Sequence, residues 1–499
     1  MEKKSTKTKL ISRTLGFVIV AIQAVASVLL VVSLLNINIV SSTILIIIIA
    51  VLAVLLIFNA IKLFIQKNAS MSAKAFCAIL ALLCIAASLF AMRYTDAFNS
   101  FLSKVTEQKP ETKEYSVVVM NDSNIKDISI LKNHSVGFLK TDTKAGNAEQ
   151  HLQNVIKINS DFYEDLDTLT SALSATLTDA IVLETSRLEA LEEEPDNPLE
   201  NTQVIYTYEI ELEEKDKTIS EKEITTEPFI VYISGSDSRV GIKATARSDV
   251  NIIAVVNPKE GKILLVSIPR DTYVQLHDTT GLRDKLTHAG IYGINMSKTT
   301  IEDFLGIKID HTIKVGFEAV VKVVDELDGI DITSDQAMKL NATTGGNKKI
   351  CEYTEGTQHV DGACALRFAR ERKSYERGDR HRGENQQQVI TSIIARLTSS
   401  KDYLLKAPSI LDAAADLFET SFERDDITAF IRMQLTNPIK WQTESISIDG
   451  AGSMQPTYSM GANRPLYVML ASEDSIATAK NKINEYLTVA EEEPVDESE

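Results

Sequence analysis

Long apolar runs and short alternating ones divide this chain. From Thr14 to Ile61 no residue is ionisable. A membrane crossing needs about 20 apolar residues at 1.5 Å each, so this run predicts two crossings with a turn at Asn36–Thr43 (NINIVSST). Ala75–Met92 is a third run of about the minimum spanning length. A cleavable signal peptide would be one short apolar core followed by a small-residue site, which is a different pattern. Residues 1–94 therefore predict three transmembrane helices.

Beyond residue 110 the apolar runs shorten and alternate with helical periodicity. Tyr115–Met120 (YSVVVM) predicts a strand, followed by KDISILKNHSVGFL, an amphipathic stretch near Ala145–Ile158 and a run from Tyr163 to Leu173. ALSATLTDAIVLE (172–184) predicts a helix end and then a strand. Residues 110–225 thus predict a small α/β unit, in which no residue has a chemical reason to be a ligand. EEEPDNPLE (192–200), with its prolines and acids, predicts a solvated connector or a hairpin excursion, and Glu213–Thr226 a charged lead into the next region.

Residues 227–487 carry the main pattern. Three apolar runs lie within FIVYISGSDSRVGIKATARSDVNIIAVVNPKEGKILLVSIPRD (229–271). They predict three strands that deliver charged corners to one sheet edge. A short helix over 299–306 follows, then a strand over 310–317, a helix through Ala319–Leu327, a turn at DGIDI (328–332) and turn chemistry over 340–362. The charged stretch 365–390 runs into a helix to Leu397. Helical runs at Tyr403–Leu417 and Asp425–Gln434, an extended SISI at 445–448 and a helix over Ser472–Leu487 complete the region. The predicted fold class is α/β: a mixed central sheet flanked by helices, preceded by the small α/β domain and the three membrane helices. Residues 488–499 form an acidic tail that predicts disorder.

Charge orients this arrangement. Residues 1–94 hold nine Lys and Arg against one acid, Glu2, whereas the remainder carries a net charge of −25. Lys and Arg flank the first span (Lys3, Lys4, Lys7, Lys9, Arg13) and the loop after the second (Lys62, Lys67, Lys74), and none lies in the first turn. The N-terminus is therefore expected in the cytoplasm and everything after the third span outside, in a multi-pass protein of the cell membrane. So acidic a body argues against nucleic acid as a partner. Cys77 and Cys84 lie in an apolar run and are expected to be inert. Cys351 and Cys364 are the candidate disulfide pair if the polar body lies outside the cell. No CxxC or HExxH occurs, so zinc has no support.

Candidate chemistry sits in the two charged stretches. Asp237 follows the first strand in GSDS, where Gly235 suits a tight turn, and Asp249 opens the second. Two carboxylates meeting at one edge repel unless a cation separates them. A hard divalent ion accepts one or two carboxylates and takes its remaining ligands from water and phosphate. Between Arg367 and Arg382 there are seven Lys and Arg against three acids. Arg370 and Arg372 share a face if the segment is extended, and Arg239, Arg247 and Arg270 come from the strand edge. Guanidinium groups hold phosphates bidentately and keep their charge at any working pH. Singly, an aspartate at a strand end reads as a cap, an arginine run as a solvated face, and His288 and His381 as surface or supporting residues. The combination points to a diphosphate.

SGSDSR (234–239), ARSDVNIIAVVNP (246–258), VSIPRDTYV (266–274), DKLTHAGIYG (284–293), FLGIKIDHTIKVGFEAVVKVVDELDGIDI (304–332), RFARERKS (367–374) and GDRHRGENQQQVI (378–390) resemble, in order, the motifs of the LytR-CpsA-Psr family. Three spans and an accessory domain resemble its streptococcal capsule-assembly branch. The resemblance implies a phosphotransferase that attaches an anionic glycopolymer, capsule or wall teichoic acid, from undecaprenyl diphosphate to peptidoglycan. It implies Mg²⁺ (or Mn²⁺) on Asp237 and Asp249, and a diphosphate held by Arg239, Arg247, Arg270, Arg370, Arg372 and Arg382. From the family's lysine-asparagine motif only Lys285 carries over. Asp237, Asp249, Arg270 and Arg372 form the expected catalytic set. The usual arginine before the glutamines is Asn385 here and stays unassigned, as do Arg377 and Arg380.

An apolar groove under the charged rim is expected to take the lipid. Asp271 is a candidate base for the acceptor hydroxyl. The expected partners are the polyprenyl diphosphate-linked glycopolymer, peptidoglycan, the membrane, and capsule or wall assembly proteins. Two other functions share the residue pattern: a lipid-diphosphate hydrolase, with water in place of the sugar, and a non-catalytic envelope regulator of the transcription-attenuator kind.

Overall fold

The computed structural model describes residues 2–65, 71–106, 110–192, 197–212, 222–236, 241–344, 347–400, 403 and 415–488. Asp237, Arg239, most of the Glu213–Thr226 lead, most of the Tyr403–Leu417 run and the acidic tail lie outside the described residues. The chain forms two units.

One unit contains α1 (Glu2–Ile37), α2 (Ser42–Ala60) and α3 (Met71–Thr106). Within it Thr14–Ile37, Ser42–Phe64 and Ser72–Thr106 are long and apolar enough to cross a membrane. The turn is shorter than the sequence suggested, residues 38–41, with Asn38 at φ 53° and Ser41 capping α2. The third helix outruns Ala75–Met92 at its C-terminal end, because Arg93, Asp96 and Asn99 end the apolar window without interrupting helical spacing. A buried polar contact ties the three helices: Asn59 Nδ2 donates to Gln23 Oε1 at 2.6 Å and to the Cys77 carbonyl at 3.2 Å. Among lipid-facing helices such a contact has no water to replace it. Cys77 and Cys84 are free and buried. A helix from the main region, Arg424–Thr436, belongs to this unit, and its Arg432 Nε donates to the Asn38 carbonyl at 2.8 Å.

The second unit holds two sheets and their helices. The accessory region comprises β1 (Thr112–Met120), β2 (Ser135–Leu139), α4 (Ala145–Val155), β3 (Asn159–Tyr163), α5 (Leu166–Ser174), β4 (Ala180–Glu184), α6 (Thr185–Glu192) and β5 (Thr202–Glu211). Its sheet order is β3-β2-β4-β1-β5. α6 and β5 have no counterpart among the elements expected from the sequence, although TQVIYTYEIE is rich in β-branched and aromatic residues.

The main region begins with β6 (Phe229–Ser236), β7 (Val250–Asn257) and β8 (Lys262–Ser267). Two short strands, β9 (Tyr273–Val274) and β10 (Asp284–Lys285), lead into α7 (Leu286–Ala289) and α8 (Ile294–Leu305), which starts five residues before the expected helix. Next come β11 (His311–Gly316), α9 (Phe317–Glu326) and β12 (Ile330–Ser334). The expected turn at 328–332 is confined to Asp328 and Gly329, both at positive φ. The expected turn region 340–362 is instead mostly strand: β13 (Met338–Thr344), β14 (Asn347–Tyr353) and β15 (Gly356–Val360). Cys351 on β14 is disulfide-bonded to Cys364 on α10 (Gly362–Ala369). α11 (Asp379–Thr398), β16 (Phe418–Thr420), β17 (Gln442–Ser447), the hairpin β18 (Gly450–Thr457) and β19 (Gly461–Ala471), and a helix over Glu473–Leu487 complete it.

The central sheet has the order β16-β11-β6-β7-β8-β17. β6, β7 and β8 are antiparallel, while β11 and β17 join them in parallel. The sheet is mixed, as expected. Alternation places Ile230, Tyr232, Ile253, Val255, Leu264 and Val266 in one core with α7, α8 and the C-terminal helix. The residues between them, such as Val231, Ile252 and Leu265, are buried as well, so helices cover both faces and the strands read as continuous apolar runs. A second core packs Val324, Ile330, Phe368 and Val389 between α9, α10, α11 and β12. The Ile and Val expected to line a lipid groove are to this extent packed against one another.

Register brings the end of β6, the start of β7 and the end of β8 to one edge, with Gly235 opposite Val250 and Ile252 opposite Ser267. Gly235 serves close packing rather than the tight turn expected of it: a Cβ there would lie 2.8 Å from the Val250 side chain. Gly290 is the tighter constraint. A Cβ there would lie 2.3 Å from the Ala246 carbonyl and 2.8 Å from the Ser248 nitrogen, so the turn after α7 seats directly on the corner that carries Arg247. Gly290→Ala is expected to displace that corner and to lower stability by about 2 kcal/mol, read as a lower unfolding temperature of the full chain in detergent. An unchanged midpoint would show that the corner can yield.

His311 on β11 stacks on Phe422 with ring centroids 4.0 Å apart, and its buried Nε2 has no hydrogen-bond partner. Burial, with smaller contributions from Lys298 and Lys222 and opposed by Asp310, pushes its pKa down to about 4. The unfolded ring binds its proton near pH 6.5, so stability is present above that value and is lost as pH falls towards 4. A shift of this size is worth roughly 3 kcal/mol. Thermal unfolding should show this acid sensitivity in the wild type and a reduced one in His311→Phe. Equal pH profiles would remove His311 from the account.

Candidate functional site

The site is built on Ser248, which holds the two charged residues beside it. Ser248 Oγ lies 2.8 Å from Ser234 Oγ and 3.2 Å from the Tyr232 hydroxyl, and its nitrogen donates to the Thr287 carbonyl at 3.1 Å. The Tyr232 hydroxyl also donates to Asn251 Oδ1 at 2.7 Å, and Asn251 Nδ2 returns to the Ser248 carbonyl at 3.0 Å. All of these groups are buried. A satisfied buried network of this kind fixes one arrangement, because each broken bond strands a polar atom. Arg247 and Asp249 therefore leave a rigid backbone. The same α7 segment receives the other corner, since the Thr287 nitrogen donates to the Arg270 carbonyl at 2.9 Å. Arg270 Nη1 then donates to Asp249 Oδ1 at 2.7 Å, with both side chains mostly shielded from solvent.

The opposite wall comes from α10, the turn after it and α11. Arg370 caps α10 in helical geometry, and its guanidinium lies 5.1 Å from the Phe317 ring centre. The segment is thus not extended as the sequence suggested, and Arg370 and Arg372 do not share a strand face. Glu371 between them is buried, accepts from the Ser374 nitrogen at 2.8 Å and pairs with Arg367. Burial pushes the Glu371 carboxyl up, but these donors outweigh it and hold its pKa below the usual range. It stays charged and fixes the turn that presents Arg372.

On α11, Gly383 allows the helix to approach β8, as a Cβ there would lie 2.7 Å from Ser267 Oγ. This seats Arg382 over the strand edge. The residues that follow are anchors. Asn385 Nδ2 donates to the Phe368 carbonyl at 3.1 Å, and Gln387 Nε2 to the Leu265 and Ile446 carbonyls at 3.0 and 2.7 Å. Asn385, which stands where the family has arginine, is a buried link between α11 and α10.

A cavity of about 380 Å³ lies between these walls, lined by Arg247, Asp249, Arg270, Arg370, Arg372 and Arg382 together with Phe317 and Gln386. Six expected site residues from three separate stretches meet there. Lys285 is not among the lining residues; it is buried and pairs with Asp271 at 3.4 Å. The same pairing occupies Asp271, the candidate base. Arg377 pairs with Glu384 and Arg380 with Asp449. His288 is buried rather than superficial, with Nδ1 2.7 Å from Asp284 and 2.8 Å from Ser459 Oγ. His381 stacks on Tyr375.

Two further residues line the cavity, Glu189 and Glu192 on α6 of the accessory region. No ligand is expected from the sequence in that region, and Glu192 falls in the expected solvated connector. The available signal was two acids three apart on a helix, which share a face. Five guanidinium groups and three carboxylates thus surround one cavity, a surplus of positive charge suited to a polyanion.

Residues 198–482 match the LytR_cpsA_psr family. The chain is 29% identical over 269 residues to the polyisoprenyl-teichoic acid–peptidoglycan teichoic acid transferase TagU of Halalkalibacterium halodurans, covering 53% of this chain and 81% of that protein. It is 31% identical over 241 residues to the transferase of the same name from Bacillus anthracis, covering 48% and 75%. The crystal structure of Bacillus subtilis TagV aligns with 52% of this chain and 98% of its own, at 27% identity and a TM-score of 0.44. The family match spans more than half of the sequence and contains every residue of the main site, and on that ground the chain belongs to the LytR-CpsA-Psr family.

Proposed function

We propose that this chain is a membrane-anchored phosphotransferase that moves an anionic glycopolymer, such as wall teichoic acid, from a polyprenyl diphosphate carrier to a sugar hydroxyl of peptidoglycan. The observation that carries the proposal is the convergence of Arg247, Arg270, Arg370, Arg372 and Arg382 with Asp249 in one cavity, in a chain that also bears three membrane-length helices. A soluble nucleotide needs no anchor, whereas a lipid-borne diphosphate does. The distribution of Lys and Arg supports a cytoplasmic N-terminus and a catalytic region outside the cell. The Cys351–Cys364 disulfide supports the same placement, since disulfides persist in oxidising compartments.

The reaction makes one phosphorus–oxygen bond and breaks another. The acceptor hydroxyl oxygen attacks the phosphorus that carries the polymer, and its proton passes to the departing phosphate or to water. The bond to the bridging oxygen breaks, and the lipid phosphate departs with that oxygen. The arginines hold the diphosphate and stabilise charge on the departing phosphate, so positioning and electrostatics carry most of the catalysis. Phe317 lies against the Arg370 guanidinium, and the Glu371 turn fixes the backbone that carries Arg372.

Asp249 offers only oxygen donors and faces a cavity with room for phosphate oxygens, which fits a hard cation such as Mg²⁺ or Mn²⁺. Asp249 would hold it, with Asp237 as the second carboxylate expected from sequence. Such an ion supplies further charge neutralisation on the diphosphate.

Full-length protein in detergent, given lipid-linked teichoic acid and peptidoglycan, should place polymer covalently on the peptidoglycan. Asp249→Ala and Arg372→Ala should each lower the rate by about 100-fold or more. If both variants keep full transfer, the assignment is wrong, and a regulatory role without catalysis takes its place. Release of free polymer and lipid phosphate alone would indicate a hydrolase. Chelation should abolish transfer, and added Mg²⁺ or Mn²⁺ should restore it; transfer indifferent to chelator would exclude the metal.

A further inference from the structure

The accessory region is clamped to the main region through buried ionic and apolar contacts. The Arg187 guanidinium, at the start of α6, donates to the Ser459 carbonyl and pairs with Glu184 at 3.6 Å. Glu184 also receives Lys113, whose ammonium lies 5.8 Å from the Tyr292 ring centre. Arg187, Glu184 and Lys113 are all buried. Glu111 accepts from the Ile294 nitrogen at 3.1 Å and pairs with Lys314 at 3.5 Å. Met460 and Leu466 of the β18–β19 hairpin complete an accessory core built on Leu169, Leu183 and Leu188. Breaking a buried charge pair leaves an uncompensated charge and is costly, so α6 holds a fixed position.

That position brings Glu189 and Glu192 to the arginine-lined cavity. The two walls have opposite chemistry. Guanidinium groups select the diphosphate, which carboxylates repel. Carboxylates accept hydrogen bonds from sugar hydroxyls, which carry no charge to repel.

We propose that Glu189 and Glu192 form the acceptor side of the site: the accessory helix α6 binds the sugar hydroxyls of the incoming glycan strand and presents one of them to the diphosphate held by the arginines. This rests on the transferase reading above. It gives the accessory domain a direct part in acceptor recognition. Donor binding and acceptor binding then fall on different domains, and substitutions should separate them.

The test uses the full-length protein, a lipid-linked teichoic acid donor and soluble glycan strands from peptidoglycan. Glu189→Gln, Glu192→Gln and the double variant are compared with wild type. The double variant should raise KM for the glycan strands about tenfold or more, the size expected for lost charge-assisted hydrogen bonds. Its donor affinity should be unchanged or tighter, because two charges opposing the diphosphate have gone. Retained donor binding also shows that the variant is folded, and if the double variant does not bind donor, the single variants decide by the same readout. An unchanged glycan KM overturns the inference while leaving the transferase reading intact. A higher transfer rate with tighter donor binding and unchanged glycan KM also overturns it, and makes the glutamates a charge gate. A wild type that transfers nothing to the glycan strands overturns the transferase reading and this inference with it.

Discussion

Repulsion among five guanidinium groups is the constraint that the rest of the structure serves. Two like unit charges about 8 Å apart repel by roughly 2 kcal/mol at an effective dielectric near 20. Arginine cannot shed its proton to escape. Left on flexible loops, the five would spread into solvent. They stay together because each is fixed from behind: Arg247 by the Ser248 network, Arg270 by Asp249 and the α7 backbone, Arg370 by Phe317, Arg372 by the buried Glu371 turn and Arg382 by the close approach at Gly383. Preorganised charge of this kind stabilises an anion without reorganising when it arrives.

Much of this was legible in the sequence, and particular residues show why. Asp249 and the strand-edge arginines could be read because their runs are short, continuously apolar and end in charge, which places the corners at strand ends whatever the details of pairing. Arg370, Arg372 and Arg382 were legible as a charge cluster but not as geometry. An extended segment was expected where Arg370 closes a helix, since composition says nothing about a buried Glu371 drawing the turn around itself. Lys285 was carried over by motif and is tied to Asp271 away from the cavity lining. The strands β13 to β15 were hidden by Gly and Asn, which weaken strand propensity but do not prevent a disulfide-bonded hairpin region from forming. For Glu189 and Glu192 the sequence offered only their helical spacing, because α6 is brought to the cavity by contacts with Ser459, 272 residues beyond Arg187, and with Met460.

The buried residues around Ser459 join features that look unrelated along the chain. Asp284 accepts from the Ser459 nitrogen at 2.8 Å and from the Lys285 nitrogen at 2.8 Å. Arg187 takes the Ser459 carbonyl from the other side. The DKLTHAG segment, whose lysine was expected to touch phosphate, is thus a structural hub: its backbone fixes the Arg247 and Arg270 corners, and its side chains fix the hairpin on which the accessory domain rests.

The central claim is that the converged arginines recognise a diphosphate. Its most direct test is equilibrium binding of a prenyl diphosphate and the matching prenyl monophosphate to the full-length protein in detergent. The account requires the diphosphate to bind at least about tenfold more tightly, and that preference to disappear in the Arg370→Ala/Arg372→Ala double variant. Equal affinity of the wild type for the two lipids, or a preference that survives the double substitution, would contradict it.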